Sequence, residues 1–336
     1  MSGKPPSGLA YRAPVSGTSK AHHHWLETDP MWKKLGKIFC AEGQSDWLYS
    51  HAMIPIAEQI DGDLFRIYFS SRDKHNRGHG AFLEIDMRDP TKVLRVNPEP
   101  VLAPGELGCF DDSGALPNAI VNVNGRKLLY YTGINLGVTV KIRNSIGLAE
   151  WNEATQRFER RFRGPVIDRT RDLPHFVATP EVHYEGGHFR AWFTSCTRWE
   201  HGDVEAKHYY HLEYAESEDG IEWERDGTVA IAFRDEHEYA LGVPRVIKDP
   251  DTYRMWFCSR ATQSCPTYRI RYATSPDGVQ WTRHDDQVGI DVSETGWDSE
   301  MICYPFVFDH AGRRYMLYNG NGYGKTGFGI AVWEDE

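Results

Sequence analysis

One proline returns five times at nearly constant spacing, at Pro55, Pro117, Pro180, Pro244 and Pro305, with 62, 63, 64 and 61 residues between successive copies. Self-similarity at such a period marks one structural unit built five times. The prolines open the segments IPIAEQIDGDLFRIYFSS, LPNAIVNVNGRKLLYYTG, TPEVHYEGGHFRAWFTS, VPRVIKDPDTYRMWFCS and YPFVFDHAGRRYMLYNG. Each has an apolar stretch, a turn containing Gly, Asp or Asn, and an alternating aromatic-rich stretch, which reads as strand, hairpin turn and strand. An aromatic closes each second strand, at Phe69, Tyr131, Phe193, Phe257 and Tyr318, so register is kept through all five copies.

A third strand follows in GHGAFLEID, SIGLAEW, HLEYAES, RIRYATS and GFGIAVW, and a fourth is expected in PVLAP, PVIDR, VAIAF and VGIDV. The fifth copy of the fourth strand stands near the N-terminus instead, in Lys37-Ile-Phe-Cys-Ala41. An outer strand supplied from the opposite end of the chain closes a ring and leaves no open sheet edge. The expectation is an all-β fold, a five-bladed β-propeller of four-stranded antiparallel blades, forming one domain over residues 34–336. Residues 1–33, rich in Ser, Gly, Pro and Ala, read as a flexible arm. Two turns of the form Ser-x-Asp-Gly-x-x-Trp, Ser217 to Trp223 and Ser275 to Trp281, read as structural hairpins in which Asp-Gly supplies a positive φ.

With 48 acidic against 38 basic residues, a net charge of −10 and no basic run, nucleic acid is not an expected partner. No apolar run has the length of a signal or membrane-spanning segment, so no membrane partner is expected and the expected location is the cytoplasm. The six cysteines lack zinc-ribbon spacing and read as free thiols. No cofactor is expected. His22, His23 and His24 on the arm are an incidental run, and the one open metal reading is a structural ion on the axis. Eleven Trp and seventeen Tyr suit packed sheets and also the stacking of sugar C–H faces.

A propeller gathers the starts of its first strands around a central funnel, so residues far apart in sequence become neighbours there. The positions beside each proline and after each second strand offer His51, Arg72 and Asp73 from the first unit, with Asp111, Asp112 and Asn118 from the second. Glu181, His183 and Arg198 come from the third, Arg245 and Arg260 from the fourth, and Trp297, Asp298, Glu300, Asn319 and Asn321 from the fifth. Glu181 lies in an otherwise apolar strand start, where a carboxylate is costly unless paired or working. Arg245 holds the equivalent place one unit later and is either its ion-pair partner or a ligand group. Asp111 and Asp112 either cap a Ser-Gly turn or face the funnel. His51 is either a core hydrogen-bonding group or an acid/base. The arginines either bind an anion or bridge units.

The cadence of VPRVIKDPDTYRMWFCS and the Ser-x-Asp-Gly-x-x-Trp turns, over residues 35–336, resemble the five-bladed propeller superfamily of glycoside hydrolase families 32, 43, 62, 68 and 130. The resemblance implies a sugar in the funnel and carboxylates from the early units as base or nucleophile, pKa tuner and general acid. Glycoside cleavage needs one protonated and one ionised carboxyl, about 5 Å apart for retention and roughly 6.5–9.5 Å apart for inversion. Family 43 carries an Asp beside the first-unit proline, where this chain has Ile54. Three readings follow. One is a glycoside hydrolase-like enzyme with Glu181 as acid and Asp112 or Glu300 as its partner, on a sugar or glycoconjugate. Another is a non-hydrolytic lyase, isomerase, cyclase or nucleotide-sugar-processing enzyme of a biosynthetic pathway, centred on His51 and Glu181 with arginines holding an anion. The last is a sugar-binding propeller without catalysis. On the hydrolase reading, replacing Glu181 by Gln removes activity with little loss of melting temperature.

Overall fold

The computed structural model describes residues 31–202, 205–262 and 264–334. Of the arm expected over residues 1–33, residues 1–30, with His22, His23 and His24, lie outside the described residues.

The described chain opens on β1 (Met31–Phe39). The first unit is β2 (Ser50–Asp61), β3 (Leu64–Arg72), β4 (Gly78–Asp86) and β5 (Asp89–Val96). The second is β6 (Gly114–Val123), β7 (Arg126–Ile134), β8 (Ser145–Asn152) and β9 (Arg157–Arg160). The third is β10 (Val177–Glu185), β11 (His188–Glu200), β12 (Lys207–Ser217) and β13 (Val229–Ile231). The fourth is β14 (Glu238–Lys248), β15 (Tyr253–Ala261), β16 (Arg269–Ser275) and β17 (Thr282–Arg283). The fifth has β18 (Cys303–His310), β19 (Arg313–Asn319) and β20 (Phe328–Glu334). Within each unit successive strands pair antiparallel. β1 completes the fifth by pairing with β20 from Met31↔Glu334 to Phe39↔Phe328.

The first strands touch in a cycle, β2 with β6, β6 with β10, β10 with β14, β14 with β18 and β18 with β2. That is the expected propeller, five four-stranded units about one axis and closed by the N-terminal strand. The closing strand begins at Met31, so residues 31–33 belong to the ring rather than to the arm.

The outer strands depart from expectation in three units. VAIAF does contain β13, but PVLAP and PVIDR contribute only the single bridges Gly80↔Leu102 and Ile146↔Ile167. The prolines of these segments lack the N–H that a continuous ladder requires. VGIDV forms no strand; Val288 and Ile290 are buried beneath the fifth unit while Gly289 accepts a hydrogen bond from the Trp32 amide at 3.0 Å.

The core sits between units rather than inside any one of them. Phe65, Phe69, Phe308 and Leu317 share a cluster of the first and fifth units, and Tyr130, Ile146, Phe189 and Phe193 one of the second and third. All five second-strand aromatics are fully buried. Each such ring contributes about 1.5–3 kcal/mol by leaving water. Two of the five are tyrosines, and a buried phenol needs a partner. Tyr131 donates to Asp111 at 3.0 Å and Tyr318 to Asp298 at 3.1 Å. The Asp-Gly turns are structural, as expected, and join units: Tyr130 donates to the Gly220 carbonyl at 2.9 Å and Trp192 to that of Gly278 at 2.7 Å.

The repeated proline marks a bulge. Pairing slips between Met53 and Ile56, Ala178 and Glu181, Gly242 and Arg245, and Cys303 and Phe306. In each slip the residue before proline is left-handed, with φ of 54° at Ile54, 48° at Thr179, 53° at Val243 and 56° at Tyr304. This conformation is unfavourable for β-branched residues, and it frees an amide that the ladder does not use. A side chain catches each one: Asn319 Oδ1 takes Ile54 N at 2.9 Å, Thr132 Oγ1 takes Thr179 N at 2.8 Å, Thr179 Oγ1 takes Val243 N at 3.3 Å, and Cys258 Sγ takes Tyr304 N at 3.0 Å. In the second unit the slip falls between Pro117 and Ala119. The bulges turn the strand starts and set the mouth of the funnel.

Candidate active site

The residues just past the prolines, Ile56, Asn118, Glu181, Arg245 and Phe306, meet at the axis and close it. Arg245 pairs with Glu181 of the third unit, donates to the Asn118 carbonyl of the second, and lies 4.7 Å over the Phe306 ring of the fifth. Ile56 shares its buried cluster with Phe306 packed against it. Glu181 continues to His183 at 3.1 Å, and His183 to Glu185 at 3.2 Å. Burial works against the Glu181 charge, but Arg245 and His183 outweigh it and hold the carboxyl below its usual range. Burial likewise opposes the His183 charge, yet the bonds to Glu181 and Glu185 lift the imidazole to about 9. Glu181 is therefore an ionised structural partner, a state that has no proton to give a leaving group.

Above this plug the strand starts bring an apolar and aromatic cluster from every unit to the mouth of the funnel. Its buried members include Met53, Leu116, Phe176, Tyr210, Tyr268 and Met301, with Trp199, Tyr239, Tyr304 and Tyr323 packed on it. Polar groups stand among these rings. Arg260 of the fourth unit donates to the Tyr323 hydroxyl at 2.8 Å and lies 5.2 and 5.4 Å over the rings of Tyr239 and Tyr268, while its buried Nε has no partner. Arg72 of the first unit reaches Asn76 Oδ1 at 3.1 Å and Met53 Sδ at 3.7 Å, and lies close enough to Tyr304 for the phenol to act on its charge. His51, beside Ser50 Oγ at 3.0 Å, is pushed down to about 4 by burial and by the charges of Arg72 and Lys325. At pH 7 it is a neutral imidazole.

Asp112 borders the mouth from the second unit. It accepts from Gly108 N at 3.0 Å, Ser113 Oγ at 2.9 Å and Asn135 Nδ2 at 3.0 Å, and these bonds overcome burial to hold it below the usual carboxylate range. Glu300 is exposed on the fifth unit's rim and its backbone accepts from Thr267. Asn321 fixes that rim by accepting the amides of Glu300 at 2.8 Å and Met301 at 3.0 Å.

The remaining sequence candidates are tied up elsewhere. Asp111 is 1% exposed and accepts from Tyr131 and from Arg160 at 2.7 Å, and Asp298 accepts from Tyr318 and Lys34. Both are phenol partners inside the blades rather than funnel acids. Asp73 is buried in its own turn, held by Arg77 at 2.9 Å and His79 at 3.2 Å. Asn319 is fully buried, taking the Ile54 amide and donating to the Ala52 and Gly327 carbonyls, and Asn118 Oδ1 takes both polar groups of Thr132. Trp297 stacks on Tyr318 at 5.2 Å. Arg198 lies at the rim, with Glu200 at 2.9 Å and the Tyr209 ring at 3.6 Å.

Reasoning from sequence missed the tyrosines, although Tyr304 occupies the position before a repeated proline, where the register pointed. It also missed His208. This imidazole stacks on Tyr210 at 5.3 Å, has a buried Nδ1 without a partner, and is lowered to about 4 by burial and Arg260. Among the described residues no three His, Cys, Asp or Glu side chains are grouped to hold a metal ion, and no helix is long and apolar enough to cross a membrane.

No protein-family model matches this sequence. Among solved structures, one described as a glycoside hydrolase has a TM-score of 0.72 at 18% identity over 92% of both chains. A structure from the GH130 family of mannoside phosphorylases, which contains hydrolases of beta-1,2 mannosidic linkages in Candida mannan, reaches 0.66 at 14% identity, covering 91% of this chain and 94% of that one. A thermostable family-43 glycoside hydrolase reaches 0.57 at 15% identity, covering 85% of this chain and 88% of that one. These likenesses are of fold. The uncharacterized protein Rv1502 of Mycobacterium tuberculosis is 45% identical over 304 residues, 90% of this chain and 99% of that protein. The chain belongs to the same family as Rv1502, on the five-bladed propeller fold that it shares with glycoside hydrolases.

Proposed function

We propose that this protein is a carbohydrate-active enzyme of glycoside hydrolase-like type that binds a sugar or glycoconjugate in the mouth above the axial plug. The observation that carries this reading is the convergence of all five units on one aromatic-lined mouth in which Arg260 keeps a buried nitrogen unpartnered. Aromatic faces suit sugar C–H surfaces, and a few convergent polar groups fix orientation. Asp112, held ionised by three donors, is the proposed base or nucleophile. Glu300, whose carboxyl has no hydrogen-bond partner among the described residues, is the proposed acid. His51 assists as a neutral imidazole.

The ionised state of Glu181 favours a second reading, a non-hydrolytic lyase, isomerase, cyclase or nucleotide-sugar-processing enzyme in which His51 takes a substrate proton. Both readings are tested by screening aryl glycosides and nucleotide sugars against the native protein and the variants Asp112→Asn, Glu300→Gln and His51→Asn. Aryl glycoside turnover lost in Asp112→Asn and Glu300→Gln supports hydrolysis. Turnover of nucleotide sugars alone, lost in His51→Asn, supports the second reading. Sugar binding without turnover of either class leaves a binding propeller.

A further inference from the structure

We propose that the mouth takes an acidic sugar, a uronate whose carboxylate is held by Arg260 in the pocket where the third, fourth and fifth units meet. The proposal rests on reading the mouth as the sugar site and adds the class of sugar that enters it.

The residues of this pocket are joined by direct contacts. Arg260 and Tyr239 stand on β15 and β14 of the fourth unit, Tyr268 just before β16, Tyr323 after β19 of the fifth unit, and His208 and Tyr210 on β12 of the third. Arg260 lies over the rings of Tyr239 and Tyr268 at 5.2 and 5.4 Å and donates through Nη1 to the Tyr323 hydroxyl at 2.8 Å. The Tyr210 and Tyr268 hydroxyls bond each other, and His208 stacks on Tyr210 at 5.3 Å. The half-buried Trp199 ring lies 4.8 Å from His208 and offers the pocket an apolar face for sugar C–H groups.

Charge selects the ligand. Arginines packed into the fold elsewhere sit on carboxylates: Arg66 on Glu84 at 3.0 Å, Arg225 on Glu213 at 2.9 Å, and Arg283 on Glu238 at 2.7 Å. Arg260 meets no carboxylate among the described residues, and after burial the groups acting most on its charge are the phenols of Tyr268, Tyr323, Tyr239 and Tyr210. The acids of the neighbouring rim are already matched. Glu205 has Lys141 at 3.2 Å, and Glu200 has Arg198 at 2.9 Å and also feels Lys207, which lies 4.2 Å over the Tyr239 ring. Of the Arg260 guanidinium only Nη1 is spent; Nη2 has no acceptor among the described residues, and Nε is shielded from water without one. The ring faces offset part of the cost of such a charge, but the unpaired donors keep a desolvation penalty that an anion removes. One guanidinium fork matches one planar carboxylate. A dianionic phosphoryl group would bring a second charge that Arg260 alone does not match. His208, held at about 4 by burial and then by Arg260, with Glu205 and Lys141 also acting on it, reports whether that charge has been met.

The test is calorimetric titration of the full chain with glucuronate, galacturonate, mannuronate and iduronate, the methyl ester of each, glucose 6-phosphate and acetate, repeated on Arg260→Gln and Arg260→Lys. At least one uronate is expected to bind about ten- to hundred-fold more tightly than its own methyl ester, the worth of one charge-assisted contact. That preference is expected to vanish in Arg260→Gln and to shrink in Arg260→Lys, which keeps the charge without the fork, with melting temperature confirming the fold of each. In NMR titrations of the native protein, which need no variant, the His208 imidazole is expected to rise from about 4 when the uronate binds and to stay there when the ester binds. The proposal is overturned if no uronate is preferred to its ester, if the preference survives in folded Arg260→Gln, if acetate or glucose 6-phosphate binds as tightly as the best uronate, or if bound uronate leaves His208 unmoved. Uronate binding without turnover of any glycoside keeps this site and removes the enzymatic reading; turnover of neutral aryl glycosides with no preference for a uronate does the reverse.

Discussion

Arg245 sets its guanidinium on the carboxylate of Glu181 across the boundary of two units, and the pair stands at the same register after successive repeats of one proline. A position that sequence alone offered for acid catalysis is a closure of the axis. Removing one member of a fully buried pair strands the other charge. Glu181→Gln is expected to destabilise the fold by about 3–5 kcal/mol, a fall of roughly 5–8 °C in melting temperature for a domain of this size. The double variant Glu181→Leu with Arg245→Met is expected to recover most of that loss. Thermal melts of the single and double variants check it, and an unchanged melting temperature in Glu181→Gln would return that residue to the candidate acids.

The chain of charges from Arg245 to Glu185 sets a pH window for stability. His183 rises from 6.5 to about 9, so its contribution is complete below pH 6.5 and is lost as pH climbs through about 9. Glu181 and Glu185 are lowered from 4.5, so theirs is present above pH 4.5 and is lost as pH falls through their folded values. Melting temperature is expected to be highest between pH 4.5 and 6.5 as far as this network decides. His183→Gln should flatten the alkaline limb while leaving an acid limb, as read from melts across about pH 4 to 10.

Tyr131 and Asp111 form a phenol–carboxylate pair inside the second unit. Asp111→Ala leaves a buried phenol and Arg160 without their acceptor, and is expected to lower stability by about 1–3 kcal/mol. Tyr131→Phe added to it should cost little more, because the hydroxyl it removes has already lost its acceptor. Urea unfolding of the single and double variants reads this coupling, and additive losses would show that the pair is not the unit of stabilisation.

His51 is held at about 4, by burial first and by Arg72 and Lys325 next. It is neutral across pH 6 to 8, so a rate that depends on it as a base is expected to stay level there and to decline only as pH falls toward 4. Arg72→Gln should move the imidazole upward without restoring it to 6.5, since burial is the larger cause. Proton NMR titration of the His51 ring measures both effects, and an unchanged value in the variant would remove Arg72 as an influence.

The repeat, the ring closure and the buried aromatics were legible in the chain because each is written locally. A strand announces itself by alternation, a hairpin by Asp-Gly or Asn-Gly, and a unit by a proline whose spacing survives five times. The left-handed residue before that proline was not legible, since Ile54, Thr179 and Val243 are poor residues for such a φ and only the catching side chains make it tolerable.

The division of polar groups into working and structural was likewise decided in three dimensions. Asp111 and Asp112 are adjacent, yet one turns inward to Tyr131 and the other stands at the mouth. Glu181 and Arg260 read alike as loaded positions, but a residue 64 places away neutralises the first and no described carboxylate meets the second. A side chain's state depends on what the neighbouring unit places against it, and that partner lies a full repeat or more along the chain. Local pattern builds the scaffold; long-range partnering decides which of its charges remain for a ligand.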